Sequence, residues 1–247
     1  MAKPDIIFDD DDIIVVNKPA NLLTIPDRFD AAKPSLYADL TQQFGKVFTV
    51  HRLDRETSGI IVFAKNEEAH RHLSMQFENH ETRKVYIALL DGVMHQDEGQ
   101  IDRPIAEHPT NLGKMVVNKK GKESLTLFKV TERFKHFTLV EADIRTGRTH
   151  QIRVHFQSLG YPLAVDAIYG RKSEIYGKDF KKKFKVGKFT EEELPIMKRT
   201  TLHAAKLTFT HPRTKGFHAD STEMLTFECE LPKDFRALLS QLNKWGK

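Results

Sequence analysis

The feature that most constrains the fold is a series of short apolar segments rich in β-branched residues. Residues 13–16, 60–64 and 84–90 have the composition of buried strands. Residues 124–133 and 136–144 predict a hairpin that turns near residues 134–135, and 202–211 and 224–231 predict two late strands. The predicted strand content is therefore high.

Helical patterns are fewer and are placed irregularly between the strands. Asn66 can cap a helix that runs through residue 78, because Ala69, Leu73 and Phe77 recur at a spacing of four. A short helix is predicted over residues 150–158 and a closing helix over residues 234–245. Strands that do not alternate regularly with helices favour an α+β fold with a mixed, mainly antiparallel sheet over a doubly wound parallel fold.

Length and composition indicate a soluble protein. A chain of 247 residues, 39% of them hydrophobic, can bury a substantial core, and we expect one domain over residues 1–247. The longest apolar runs are far too short to cross a membrane, and residues 1–5 lack the apolar core of a secretory signal. The single Cys229 excludes an internal disulfide and a multi-cysteine zinc site. We therefore expect a cytoplasmic protein without a membrane partner.

The charge is distributed unevenly along the chain. The formal net charge is only +5, but residues 171–188 hold eight Lys and Arg residues against Glu174 and Asp179. A concentration of positive charge favours a polyanionic partner through phosphate contacts and counterion release. The alternative is a solvated lysine-rich loop, and a lysine run by itself does not decide between the two.

Two segments carry most of the chemical information, His-Arg-Leu-Asp-Arg-Glu-Thr-Ser-Gly at 51–59 and Arg-Thr-Gly-Arg-Thr-His-Gln-Ile-Arg-Val-His at 145–155. In the first, Arg52 and Arg55 flank Asp54, and nearby positive charge favours an ionised carboxylate. An ionised aspartate is a potential nucleophile, and arginine suits phosphate. In an extended segment, Arg52 and Asp54 would project to one side. The alternative is an arginine–aspartate pair that braces a turn.

The motifs taken together resemble the RluA family of pseudouridine synthases. The resemblance rests on residues 51–65 and 145–155, and on shorter matches at 13–19, 84–86, 160–170 and 202–212. It spans roughly residues 8–235. The family likeness implies isomerisation of uridine to pseudouridine in RNA. It also implies that the sheet is shared by two lobes with flanking helices, and that a central catalytic cleft holds Asp54.

The resemblance also implies roles for individual residues. Asp54 would be the catalytic carboxylate that labilises the bond between uracil and ribose; attack on the sugar, addition to the base and removal of a sugar proton all remain open. Tyr86 would stack on the flipped uracil and help to remove the proton from carbon 5. Arg153 would pair with Asp54, Arg52 would fill the space left by the flipped nucleotide, and Leu202 would line the uracil pocket.

The expected partner is a structured RNA, with transfer RNA slightly favoured over ribosomal RNA. We expect contacts with the RNA and the flipped base from Arg148, His150, Lys182 and Lys183. Many relatives carry an N-terminal RNA-binding module; we expect the catalytic domain alone here, binding RNA through residues 114–122 and 178–188. The reaction involves neither redox chemistry nor hydrolysis, so no cofactor and no metal are expected, and a monomer is assumed.

Two other functions compete with this one, and two sets of residues have alternative interpretations. A non-catalytic RNA-binding protein or chaperone could keep the fold, although binding alone would not require Asp54. A metal-dependent nuclease would need clustered acidic ligands, whereas the consecutive residues 9–12 alternate in direction. His150 and His155 lack a zinc motif and are interpreted as structural or RNA-contacting residues. Tyr86, without the family match, would be interpreted as a core residue.

Overall fold

The computed structural model describes residues 4–30, 32–180, 194–212 and 224–247. The strands are β1 (Asp5–Asp9), β2 (Ile13–Lys18), β3 (Phe48–Thr49), β4 (Ser58–Ala64), β5 (Arg83–Asp91), β6 (Glu98–Asp102), β7 (Ile105–Glu107), β8 (Met115–Val117), β9 (Leu125–Arg133), β10 (Phe137–Ile144), β11 (Leu202–Thr210) and β12 (Met224–Glu228). The α-helices are α1 (Leu36–Phe44), α2 (Glu67–Glu78), α3 (Gln151–Ser158) and α4 (Lys233–Trp245). No helix in these ranges is long and apolar enough to cross a membrane.

The first of two compact units contains Met1–Val85 and His203–Glu230. Its strands follow the order β1-β2-β4-β11, with β3 beside β4 and β12 beside β11. The pairing of β11 with β4 is parallel, and the other pairings in this unit are antiparallel. One face of the sheet buries apolar side chains against α2, and this core includes Ile13, Val15, Ile60, Val62, Ala69, Leu73 and Phe209.

Helix α2 forms as the sequence predicts. The Asn66 side chain accepts a hydrogen bond from Ala69 N–H at 2.8 Å, which satisfies one of the open donors in the first turn. Ala69 and Leu73 are fully buried, and Phe77 is partly buried against the same core. The predicted cap and the predicted apolar stripe are therefore both confirmed.

The second unit contains Tyr86–Leu202 and Leu231–Lys247. Its strands follow the order β5-β10-β9-β6, and β9 and β10 form the predicted antiparallel hairpin. Helix α4 buries its apolar stripe in the core of this unit, which includes Leu89, Phe137, Ala164, Phe235, Leu238 and Leu242. Arg199, itself buried, fixes the start of α4 through hydrogen bonds to both carboxylate oxygens of Asp234, at 2.6 and 3.0 Å.

The fold class is the expected one, a mixed, mainly antiparallel α+β fold. The boundary between the two units falls inside β5 and inside β11, so the chain passes between the units within both strands. Six elements had no counterpart in the sequence-based expectation: β1, α1, β3, β6, β7 and β8. The last two form a separate two-stranded sheet, in which Ile105 lies opposite Val117.

Candidate active site

Tertiary hydrogen bonds hold the backbone on both sides of Asp54. The buried Thr24 hydroxyl donates to Leu53 C=O at 2.8 Å and accepts from Leu53 N–H at 3.2 Å. One residue after Asp54, the carbonyl of Arg55 accepts a hydrogen bond from Lys18 Nζ at 3.1 Å. The Lys18 ammonium is fully buried and also donates to the carbonyls of Pro19 and Leu22. A buried ammonium is tolerated where acceptors surround it, so this cation stabilises one backbone geometry.

His51 holds the start of the same segment. Its Nε2 accepts a hydrogen bond from Val62 N–H at 3.2 Å, and its ring stacks on Phe77 at 4.5 Å. Burial, with a smaller contribution from the charge of Lys84, lowers the pKa of His51 to about 3. The ring is therefore neutral near pH 7, and a neutral nitrogen is free to accept the bond from Val62.

The alternation predicted for this segment agrees with the burial of its side chains. Leu53 is buried and His51 is partly buried, whereas Arg52 and Arg55 are exposed and Asp54 is intermediate. Backbone N–H of Thr57 donates to Asp54 C=O at 3.1 Å, which turns the chain toward β4. The carboxylate thus lies at the entrance of a strand, next to two solvent-accessible guanidinium groups.

Strand β4 begins with an unusually close approach to β11. Gly59 has a φ of +116°, and a Cβ at this position would lie 2.1 Å from Ala204 O. Beside it, Ser58 Oγ lies 2.9 Å from Nδ1 of the fully buried His203, whose Nε2 lies 3.3 Å from Cys229 Sγ. Burial raises the pKa of the Cys229 thiol to about 12, so this cysteine is a protonated structural group and not a reactive thiolate.

In the second unit, Arg153 is buried and pairs with Asp166. Its Nε and Nη2 donate to the two oxygens of the Asp166 carboxylate at 2.7 and 2.8 Å. Burial opposes ionisation of Asp166, but the hydrogen bonds and charge of Arg153 outweigh it and hold the pKa of Asp166 below its usual value. The planar guanidinium is thereby fixed in orientation. The predicted pairing of Arg153 with Asp54 stays a prediction.

The start of α3 is stabilised by polar contacts that the helix itself does not supply. His150 precedes the helix in the left-handed conformation, with φ of 56°. Gln151 accepts hydrogen bonds from the Thr146 hydroxyl and from Arg148 N–H, and it donates to Leu125 C=O. Arg148 Nε donates to Glu123 C=O at 3.0 Å. These contacts give the arginine-rich loop before α3 a defined shape.

The second histidine of this segment has a structural environment. The His155 ring lies 2.9 Å from Thr126 Oγ1 through Nδ1 and 2.9 Å from Arg103 O through Nε2, and burial lowers the pKa of this histidine. His150 Nδ1 lies 2.8 Å from the Tyr169 hydroxyl. In the described ranges, no group of three or more His, Cys, Asp or Glu residues is arranged to hold a metal ion.

The predicted site residues fall into three groups. Arg52 and Asp54 lie together in the first unit, and five others belong to the second unit: Tyr86, Arg148, His150, Arg153 and Leu202. Tyr86, at the boundary within β5, is 8% exposed, and Leu202, at the boundary within β11, is 4% exposed. Lys182 and Lys183 lie outside the described residues.

Three residues that contribute to the site were not predicted from the sequence as site residues: Lys18, Asp166 and Tyr169. Lys18 and Asp166 are buried charged groups, at 0% and 1% exposure, and Tyr169 is 4% exposed. A charged residue between apolar neighbours, as in Ala-Val-Asp at 164–166, is the signal that could have indicated a buried ion pair.

Comparison with known proteins defines the class. A family model described as RNA pseudouridylate synthase matches residues 12–158. The chain is 37% identical to the dual-specificity RNA pseudouridine synthase RluA of Vibrio vulnificus, over 90% of this chain and 87% of that protein. It is 36% identical to the ribosomal large subunit pseudouridine synthase D of Nitrosomonas europaea, over 96% of this chain and 64% of that protein.

Among solved structures, human RNA pseudouridylate synthase domain containing 1 superposes with a TM-score of 0.69 at 27% identity, covering 98% of this chain and 88% of that one. The chain therefore belongs to the RNA pseudouridylate synthase family, and within it to the RluA type. It is an enzyme that isomerises uridine to pseudouridine in RNA. Isomerisation breaks the bond from ribose C1′ to uracil N1, forms a bond from C1′ to C5, and releases the proton of C5.

Proposed function

We propose that this enzyme modifies specific uridines of a folded RNA by base flipping, with Asp54 as the catalytic carboxylate. The observation that carries the proposal is the fixed backbone around Asp54, held through Leu53 and Arg55 by Thr24 and Lys18. A surface aspartate that only stabilises a turn does not require hydrogen bonds on both sides of its backbone. A catalytic carboxylate does require them, because it must be positioned accurately against one atom of the substrate.

Three side chains besides Asp54 are proposed to act on the flipped base. A stacked base must leave the helix before its glycosidic bond can be reached, at a cost of a few kcal/mol. Arg52 is exposed beside Asp54 and is proposed to occupy the vacated space. Tyr86 is proposed to stack on the uracil, since a tyrosine supplies an aromatic face together with one polar group. Leu202 is proposed to line the same pocket.

Arg153 is proposed to hold Asp54 in its ionised form and in the correct orientation. Its guanidinium already has a fixed plane, because Asp166 binds Nε and Nη2. A guanidinium can bind more than one anionic group, since it carries five N–H donors. Arg148 and His150, at the start of α3, are proposed to contact RNA. The same role is proposed for Lys182 and Lys183.

The test is release of tritium from RNA labelled at C5 of uridine, taken from cells that lack this protein. Wild type is expected to release tritium, and Asp54→Asn is expected to lower the rate by at least about a thousandfold while RNA affinity stays close to wild type. The control is Glu67→Gln, which removes an exposed carboxylate paired with Lys46 at 2.8 Å in the same unit. It is expected to retain full activity, because such surface pairs contribute little.

Two outcomes would contradict the proposal. Turnover by Asp54→Asn at the rate of Glu67→Gln would exclude Asp54 as the catalytic carboxylate. RNA binding without tritium release by wild type would favour the non-catalytic RNA-binding interpretation. Transfer RNA and ribosomal RNA should be assayed separately. We propose transfer RNA as the preferred substrate, and release from ribosomal RNA alone would contradict that choice.

We further propose that the enzyme works as a monomer in the cytoplasm and that its two units form one catalytic domain. The passage of the chain between the units within β5 and β11 supports the proposal of one domain. Light scattering coupled to gel filtration measures the mass directly, against 28.5 kDa for one chain. Twice that mass would contradict the monomer.

A further inference from the structure

Tyr169 connects three parts of the second unit. Its side chain is buried, and its hydroxyl accepts a hydrogen bond from Met115 N–H at 2.8 Å, at the start of β8. The same hydroxyl lies 2.8 Å from Nδ1 of His150, the residue before α3. The Arg153 guanidinium carbon lies 5.0 Å from the centre of its ring, within the range of a cation–π contact. One side chain thus contacts β8, the start of α3 and Arg153.

The backbone of Tyr169 is fixed by the carboxylate that also holds Arg153. Asp166 Oδ1 accepts hydrogen bonds from Tyr169 N–H at 3.0 Å and from Ile168 N–H at 2.9 Å. The turn is closed by Gly170 N–H, which donates to Asp166 C=O at 2.9 Å. Asp166 therefore sets the positions of the Arg153 guanidinium and the Tyr169 ring relative to each other.

The hairpin of β7 and β8 packs on the same tyrosine with its apolar side. Ile105, Met115 and Val117 cluster with Val154 and Tyr169. Lys114, directly before β8, adds a second cation 5.7 Å from the centre of the Tyr169 ring. A displacement of this hairpin would therefore act on Tyr169 through its hydroxyl, its ring and its packing.

The turns at both ends of the hairpin are exposed. Lys119, Lys120 and Lys122 lie on the surface after β8, and the side chain of Leu112 is fully exposed before it. Exposed lysines bind phosphate without sequence preference. An RNA bound to these lysines would contact the β7–β8 hairpin, whose apolar side packs against Tyr169.

We propose that Tyr169 is a positioning residue, which couples binding of RNA at the β7–β8 hairpin to the orientation of Arg153. The inference rests on the proposed role of Arg153 at the reacting uridine. A tyrosine hydroxyl can donate one proton and accept at two sites, so it can serve Met115 and His150 together. A phenylalanine would fill the same space and keep the ring contacts, but would break both hydrogen bonds.

The test compares Tyr169→Phe with Thr138→Val. Thr138 is a matched control because it is fully buried in the same unit, and its hydroxyl also makes two hydrogen bonds. That hydroxyl donates to Gly92 C=O at 2.8 Å and accepts from Met94 N–H at 3.0 Å, and both partners follow β5. Both variants lose one hydroxyl that joins a loop to a folded element.

Tyr169→Phe is expected to lower the single-turnover rate at saturating RNA by about tenfold to about a hundredfold, because small misplacements of a reacting group are costly. Its Kd for RNA is expected to stay within about twofold of wild type, since the exposed lysines are unchanged. Thr138→Val is expected to keep both values within about twofold of wild type. Equal rates for the two variants, or a loss in Kd alone, would overturn the proposal.

A second measurement does not depend on any variant at Tyr169. The side-chain Nε–H signal of Arg153 in the NMR spectrum, assigned with Arg153→Lys, reports how firmly this group is held. In wild type its exchange with solvent is expected to slow when RNA binds, and an unchanged exchange rate would overturn the link to the hairpin. Failure of the proposed function is distinct, because wild type itself would then release no tritium.

Discussion

At the scale of single residues, the site depends on polar groups that are buried or partly buried and that make defined hydrogen bonds. Lys18, His51 and Asp166 each make hydrogen bonds that hold a neighbouring part of the backbone or an arginine. Such groups are costly to bury without partners and strongly directional once they have them. Hydrogen bonds from these three residues therefore hold the segments that carry Asp54 and Arg153.

His51 makes the stability of the protein depend on pH. The pKa of His51 is about 3 in the folded state, compared with an ordinary value of 6.5 in the unfolded chain. Between these two pH values the unfolded chain binds a proton at His51 and the folded chain does not. Stability is therefore expected to fall as pH drops below about 6.5, with a slope of up to about 1.4 kcal/mol per pH unit. His155, whose pKa is also lowered by burial, acts in the same direction.

The measurement is urea unfolding at about pH 7 and about pH 5 for wild type and for His51→Gln. This pH interval lies above the pH at which the carboxylates of Asp166 and Asp234 become protonated, because the pKa values of both are lowered. Glutamine can accept from Val62 N–H and does not titrate, so the variant is expected to lose less stability on acidification. An identical loss of stability in wild type and in His51→Gln would show that protonation of His51 is not the cause of the pH dependence.

At the scale of secondary-structure elements, the parallel contact of β4 with β11 depends on Gly59. The residue combines a positive φ with a backbone oxygen of Ala204 where a Cβ would be. Gly59→Ala is therefore expected to reduce the free energy of unfolding by more than about 3 kcal/mol, through strain and a backbone clash. Urea unfolding measures the loss.

Gly45→Ala is the control for this prediction. Gly45 also has a positive φ, of +77°, but no atom lies within 4 Å of an added Cβ. Only the backbone conformation is penalised there, with φ of 77° and ψ of −137°, at a cost of about 1–3 kcal/mol. Similar losses in the two variants would show that the close approach of β4 and β11 is not what requires glycine.

At the scale of the whole molecule, binding of RNA is expected to depend strongly on salt. Phosphate contacts release counterions, so the logarithm of the association constant should fall linearly with the logarithm of the salt concentration. Replacing Lys119 and Lys120 together by glutamine is expected to reduce the slope by about 1 to 2. The control replaces Lys33 and Lys46 by glutamine, which changes the net charge equally but removes lysines paired with Asp27 and Glu67.

Filter binding or fluorescence anisotropy over a series of salt concentrations gives both slopes. The control pair is expected to leave the slope close to wild type, because these lysines already pair with carboxylates of the protein. If the two double variants reduced the slope equally, net charge rather than the hairpin would account for RNA affinity, and the proposed RNA contact at residues 114–122 would be wrong.

The sequence by itself determined the strands with continuous apolar composition, the helix capped by Asn66, the α+β class and the alternation around Asp54. Each of these follows from local composition or from a period of two or 3.6 residues. The family, and with it the activity, followed from motifs that are contiguous in the chain. Nothing in these inferences required residues distant in sequence to be placed together.

Only the tertiary structure decided the partners of the buried polar groups and the short strands at the edges. Lys18 binds the carbonyl of Arg55, and Tyr169 binds the N–H of Met115, across 37 and 54 residues of chain. Such pairs leave no periodic trace in the sequence, because each depends on the packing of several elements at once. β7 and β8, with three residues each, form where Tyr169 and α3 offer a surface for them.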